Sequence, residues 1–302
     1  MRLFFLLSVI SLFLSSCAEV VRRPESAVQV TSSVETDPVV SLDDAADDPA
    51  IWLHPQRPES SLIIGTDKRF GIEVYDLDGN RVQRIEAGLT NNVDLRPIEN
   101  ESWSAIAAAS NRTENTLSLF LIDTDGELTW LPDSEIHTGL AEVYGTCMYL
   151  DQHGPQIFVN DKDGRYQQWL LNVDNVNMRV SSSLVREFSL PSQPEGCVAD
   201  DQYRRLFMGE EEAGVWTISA SHLSEAGPIK LVDIDGEILV ADVEGMSLYI
   251  EGNRGYLVVS SQGNFSYAVY DRLPPHKYRG SFVVTDNLAR QVDGSQETDG
   301  LD

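Results

Sequence analysis

A short motif built on an acidic or aromatic residue, followed at five of six places by glycine or a polar residue, recurs six times along this chain at nearly constant spacing. Its anchors are Asp47, Asp94, Tyr144, Glu195, Glu244 and Asp299, separated by 47, 50, 51, 49 and 55 residues. A second ladder runs out of phase with it: Lys68, Arg112, Lys162, Glu211 and Gln262, separated by 44, 50, 49 and 51 residues. Each member of the second ladder follows a short apolar run, at 62–65, 105–109, 157–159, 206–208 and 256–259. Repeats of about 40–50 residues built from short strands have the size of one propeller blade. Polar residues that recur at one place in every repeat of a closed ring converge on one end of it.

The body therefore reads as all-β. Asp-Gly pairs at 78–79, 125–126, 163–164 and 235–236 are turn signals, and no long amphipathic helix is evident. Closing strands into a ring also hides sheet edges. Six anchors predict a six-bladed β-propeller. The chain stops at Asp302, just after the sixth anchor, whereas earlier repeats run on for about 45–50 residues. The last blade is accordingly expected to be incomplete, with residues near 28–40 available as a closing strand.

The N-terminus sets the expected compartment. Arg2 precedes an apolar run at 3–14, followed by Leu14-Ser15-Ser16-Cys17, which resembles a bacterial lipobox. Residues 1–16 read as a signal peptide, 17–41 as a polar tether carrying a lipid on Cys17, and 42–302 as the folded domain. This implies an exported lipoprotein, at the outer membrane or in the periplasm; an ordinary secretory signal is the alternative. The two remaining cysteines, Cys147 and Cys197, lie in apolar strand-like segments and are expected as buried thiols, although export would permit a disulfide.

The formal charge is −26, which repels nucleic acid at long range. The acids cluster at 43–44, 47–48, 200–201 and 210–212, at Asp242 with Glu244, and at Asp293 with Glu297 and Asp299. Several fall on the ladders. Carboxylates converging from separate blades are what a calcium ion, with its six to eight oxygen ligands, requires. Lys68, Arg69, Arg112 and Lys162 fall at the same expected end of the ring. Cations beside metal-binding carboxylates suit a substrate with several phosphates, while a structural ion-pair network fits the spacing equally well.

The residues themselves discriminate. The segments Asp47-Asp48-Pro49-Ala50-Ile51-Trp52, Thr66-Asp67-Lys68-Arg69, Asn91-Asn92-Val93-Asp94, Ala109-Ser110-Asn111-Arg112, Glu142-Val143-Tyr144-Gly145, Glu195-Gly196, Asp242-Val243-Glu244-Gly245, Ser260-Ser261-Gln262-Gly263-Asn264 and Glu297-Thr298-Asp299-Gly300 closely resemble the β-propeller phytases, in order from about residue 43 to the end. The resemblance implies a six-bladed propeller that removes phosphates from phytate, myo-inositol hexakisphosphate, with calcium. It implies that Lys68, Arg112, Tyr144 and Lys162 contact substrate phosphates, with Arg69 where the family commonly has a second lysine. Asp47, Glu195, Glu211, Asp242, Glu244, Gln262 and Asp299 match positions that bind or surround active-site calcium. Asp163 stands where a glutamate is usual, and Asp293 resembles a ligand of a separate stabilising calcium.

The implied chemistry is attack on phosphorus by a metal-activated water, with phytate arriving as its calcium complex at a monomeric enzyme. The five histidines form no Arg-His-Gly-x-Arg-x-Pro arrangement, the signature of histidine acid phosphatases. Two other functions compete. A non-catalytic surface lipoprotein that binds calcium or phytate would suit an incomplete last blade. A propeller hydrolase of another specificity, such as a lactonase, is disfavoured by the retained phosphate-binding cations.

Overall fold

The computed structural model describes residues 23–98, 102–174 and 179–302. The predicted signal peptide, the lipobox and Cys17 lie outside the described residues. Within them the chain is almost entirely strand, with three single-turn 3-10 helices at Pro58–Ser60, Pro132–Ser134 and Gln262–Asn264. After β1 (Val28–Thr31), the first blade is β2 (Ala46–Trp52), β3 (Leu62–Asp67), β4 (Gly71–Asp76) and β5 (Arg81–Glu86). The second is β6 (Thr90–Pro97), β7 (Trp103–Asn111) and β8 (Thr116–Asp123), with β9 (Leu128–Trp130) and β10 (Ile136–His137) both paired to β8. The third is β11 (Val143–Asp151), β12 (Gly154–Asp161), β13 (Arg165–Asp174) and β14 (Arg179–Ser189). The fourth is β15 (Pro194–Asp200), β16 (Arg205–Glu210), β17 (Gly214–Ser219) and β18 (Ile229–Asp233). The fifth is β19 (Val243–Glu251), β20 (Arg254–Ser261), β21 (Ser266–Asp271) and β22 (Tyr278–Thr285), with β1 added in parallel to β22.

Five blades stand where six were expected. Among the described residues the sixth repeat forms no sheet: past β22 there is only an isolated bridge between Asn287 and Val292. The segment around Asp299 instead runs between the innermost strands of the fifth and first blades. Gly245 donates its amide to the Asp299 carbonyl (3.0 Å), and Gly300 donates to the Asp47 carbonyl (3.2 Å). The Ile51 amide donates to the Asp302 carboxylate (2.6 Å). The five complete repeats are held by buried apolar clusters that fill the four seams between consecutive blades from the first to the fifth. Of the Asp-Gly pairs named above, three close hairpins, after β4, β8 and β12; the one at 235–236 lies in the connection between β18 and β19.

The innermost strands share one irregularity, and it positions the site. In β2, β6, β11, β15 and β19 the register breaks across two residues: Asp47-Asp48, Asn91-Asn92, Tyr144-Gly145, Glu195-Gly196 and Glu244-Gly245. Such a bulge re-aims a side chain out of the sheet. Glycine follows the anchor where backbones approach closely: a Cβ on Gly145 would collide with the Glu195 carbonyl, and one on Gly196 with the Glu244 carbonyl. The shared position in the second blade is Asn91, not the expected Asp94. The second ladder holds in every blade, since the amides of Lys68, Arg112, Lys162, Glu211 and Gln262 donate to the carbonyls of Ala45, Leu89, Glu142, Gln193 and Asp242, at 2.7–3.3 Å. Each ladder residue is thereby clamped beside the start of its own innermost strand, at the same end of the channel as the bulges.

Cys147 and Cys197 form a disulfide rather than the expected buried thiols, with a Cα–Cα distance of 5.7 Å. They occupy the innermost strands of consecutive blades, so a separation of one repeat, 50 residues, makes them neighbours in space.

A carboxylate-lined candidate active site at one end of the channel

The first residues of the innermost strands and the ladder turns enclose a cavity of about 1170 Å³. Asp47, Lys68, Tyr144, Glu195, Glu211, Asp242, Glu244, Gln262 and Asp299 all line it, with Asp43, Asp44, Gln193, Phe265 and Glu297 completing the wall. One carboxylate oxygen from each of Glu195, Glu211 and Glu244 lies within 4.8 Å of the others, and all three residues are buried. Like charges this close resist ionisation. Burial, with the Glu195 and Asp242 charges adding to it, pushes Glu211 up to about 7 although Gln193 pulls the other way. Burial and a hydrogen bond to Glu195 hold the Glu244 carboxyl far above the usual range. Burial and the Glu195 charge raise Asp47 as well, and burial raises Asp299 and Asp242.

Neutral amides hold part of this cluster in place. Asn91 donates to Glu195 Oε1 (2.7 Å), and Gln193 donates to Glu211 Oε1 (2.6 Å). A second group of acids surrounds the one cation in the wall: Lys68 Nζ lies 3.0 Å from Asp44, 3.1 Å from Asp47 and 3.2 Å from Asp299. Gln262 donates to the other oxygen of Asp299. Asp47 Oδ2 is buried and has no hydrogen-bond partner in the structure. Every donor in the set is a carboxylate or amide oxygen, without histidine or cysteine, which suits a hard divalent cation. The unpartnered oxygen of Asp47 and the self-repelling glutamates are the local features such an ion would satisfy.

Residues 3–302 match the phytase family along nearly the whole chain. The chain belongs to the phytase family. It is 44% identical over 292 residues to the 3-phytase of Bacillus subtilis (strain 168), a match covering 92% of this chain and 75% of that protein. Family membership makes it an enzyme. Two solved structures share the fold at 16% identity: a functionally unknown protein from Desulfotomaculum acetoxidans (TM-score 0.54, 77% of this chain and 70% of that one) and a protein from Lactobacillus plantarum (TM-score 0.53, 80% and 72%).

For this phytase-family chain, the remaining residues singled out in the sequence divide into rim and periphery. Lys162 places its ammonium 4.2 Å from the centroid of the Tyr144 ring, at the edge of the cavity. Burial and the Glu195 carboxylate keep the Tyr144 hydroxyl protonated. Arg112 begins the turn after β7, and its Nε is buried without a partner. Arg69 is half exposed and 3.6 Å from Asp43, a residue of the cavity lip. Asp163 is drawn to Arg165 (2.8 Å), which holds its carboxyl below the ordinary value and away from the cavity. Asp293 also lies off the wall, its amide donating to Glu35 (3.2 Å).

The sequence reading missed Asn91, Gln193 and Phe265. Asn91 sat inside a quoted segment, but the more regular spacing of Asp94 displaced it as the anchor. Gln193 precedes Glu195 by two residues and accepts the amide of Glu211 on its carbonyl, a contact that spacing alone does not show.

Proposed function

We propose that this chain hydrolyses phosphate monoesters of phytate, with calcium held at the channel end by Glu195, Glu211 and Glu244 together with Asp47, Asp242, Gln262 and Asp299. The observation that carries the reading is the triad of buried, mutually repelling glutamates beside cationic side chains in a chain of this family. The 3-phytase relative supports phytate as substrate. When bound, calcium would offset the carboxylate and phosphate charge and acidify a water for in-line attack on phosphorus.

The protein's own groups do the rest. Lys68, Arg112 and Lys162 supply charge-assisted contacts to phosphate oxygens, and the Tyr144 ring and hydroxyl orient Lys162 and Glu195. Asn91 and Gln193 each fix one oxygen of a glutamate and would hold Glu195 and Glu211 oriented toward an ion. Arg69 and the Asp43-Asp44 lip stand at the entrance. Phytate in its calcium complex would meet less repulsion from a chain of charge −26, and the protein acts as a monomer in this reading.

Export with a lipid on Cys17 remains part of the proposal, supported by the N-terminal pattern and by a disulfide, which persists in oxidising compartments. Placement at the outer membrane or in the periplasm follows from it, with secretion as the alternative. The test is phosphate release from phytate with calcium and with excess chelator. Release with calcium and none with chelator is expected; full release in chelator contradicts the metal role.

A further inference from the structure

We propose that Phe265 is a specificity-determining residue, whose ring gives the apolar face against which the carbon ring of a cyclic polyphosphate rests; this builds on the function proposed above. Phe265 is the largest purely apolar side chain in the cavity wall, which is otherwise built of carboxylates, amides, small residues, Lys68, Val240 and Tyr144, whose ring is already met by the Lys162 ammonium. It is partly exposed there. Its backbone is left-handed, with φ 55° and ψ 43°, a conformation that asparagine and glycine adopt readily and a bulky residue does not. A strained residue persists when its surroundings over-determine it, and such residues gather at functional sites.

The surroundings here do so. The Phe265 amide donates to the Gln262 carbonyl (3.0 Å), and Gln262 is itself clamped to Asp242. The next residue back, Asn264, donates to the Glu237 carbonyl (3.0 Å) and accepts from Ser266 (2.6 Å). Gly263 lies so close to the Ala241 carbonyl that a Cβ there would collide with it. The turn therefore sets Phe265 in the cavity wall three residues after Gln262, at a conformational cost that asparagine would avoid. Binding pockets combine a few convergent polar groups with apolar walls that receive the ligand's carbon skeleton. The cations and the metal-binding acids account for phosphate; Phe265 accounts for the cyclohexane ring that bears it.

The test compares the full-length parent with Phe265→Asn and Phe265→Tyr, with calcium, on phytate and on the acyclic monoester glycerol 2-phosphate. Phosphate release by the parent from phytate tests the function itself; the variant-to-parent ratios test this inference. Phe265→Asn is expected to raise the KM for phytate by about threefold to tenfold with kcat little changed, to leave the KM for glycerol 2-phosphate unchanged, and to raise the melting temperature by relieving the left-handed strain. Phe265→Tyr should retain the parental KM. An unchanged phytate KM in Phe265→Asn overturns the inference. So does a lowered melting temperature with both substrates affected alike, which would make Phe265 a packing residue.

Discussion

The two ends of the central channel are built from the same five innermost strands, yet they arrange their charge differently. At the site end, Glu195, Glu211 and Glu244 crowd together with amides rather than cations as their resolved hydrogen-bond partners. At the far end, a second cavity of about 510 Å³ is lined by Asp48, Asp94, Arg96, Asp201 and Asp302 among apolar residues and the disulfide. There Asp94 and Asp201 are matched by a cation, while burial and neighbouring acids raise the Asp48 and Asp302 carboxyls. Arg96 bonds Asp94 (2.9 Å) and Asp201 (2.9 Å), while Asp94 and Asp201 accept the amides of Met148 and Leu150 in the neighbouring blade. Asp48 likewise accepts the amide of Val93. A carboxylate that ties one blade to the next is structural. Carboxylates that converge from separate blades on one cavity, each at the position its repeat shares, mark chemistry.

The largest difference between the ends should appear in stability. Arg96→Met leaves the half-buried Asp94 and Asp201 without their cation, at a cost of about 2–4 kcal/mol in urea unfolding once the buried-pair penalty is discounted for their exposure. A loss below about 1 kcal/mol would erase the contrast. The disulfide at the same end should come next. Cys147→Ser with Cys197→Ser is expected to cost about 2–4 kcal/mol, read as a lowered melting temperature, while phosphate release per folded molecule is retained.

The site end should show its sign through pH. Glu211 titrates near 7 when folded and near 4.5 in its ordinary state, so the folded chain binds that proton more tightly. Its stabilising contribution is full below about 4.5 and is lost as pH rises through about 7. Chelated protein should therefore melt at progressively lower temperature between pH 5 and pH 8, and calcium should flatten that slope. A flat profile in chelator would show that the glutamates do not repel one another. The smallest effect belongs to the lip. Asp43→Asn breaks a solvent-exposed pair with Arg69 at 3.6 Å and should change stability by about 0–1 kcal/mol in the same urea assay.

Much of this was legible in the sequence because the repeat is physical. One hydrogen bond per blade clamps each member of the second ladder, so its spacing reported true structural equivalence. The first ladder slipped at one rung. An acid at Asp94 looked more like its partners than Asn91 did, and composition cannot reveal which residue occupies a bulge. Asp299 kept its place beside Asp47 although its repeat forms no sheet, since backbone hydrogen bonds to both neighbours hold it. The cysteines carried a readable signal, a separation of one repeat, that a preference for buried thiols overrode. Asp163 stands outside the cavity wall, paired with Arg165 two residues on, a local contact that the repeat spacing does not show.

Calorimetric titration of calcium into the parent and into the Glu195→Gln, Glu211→Gln double variant tests most directly whether the clustered glutamates are the metal site. The parent should bind calcium, and the double variant should bind it at least about tenfold more weakly, with circular dichroism unchanged and a melting temperature in chelator equal to or above the parent's. Calcium bound equally well by both proteins would contradict the assignment of the channel end as the metal centre.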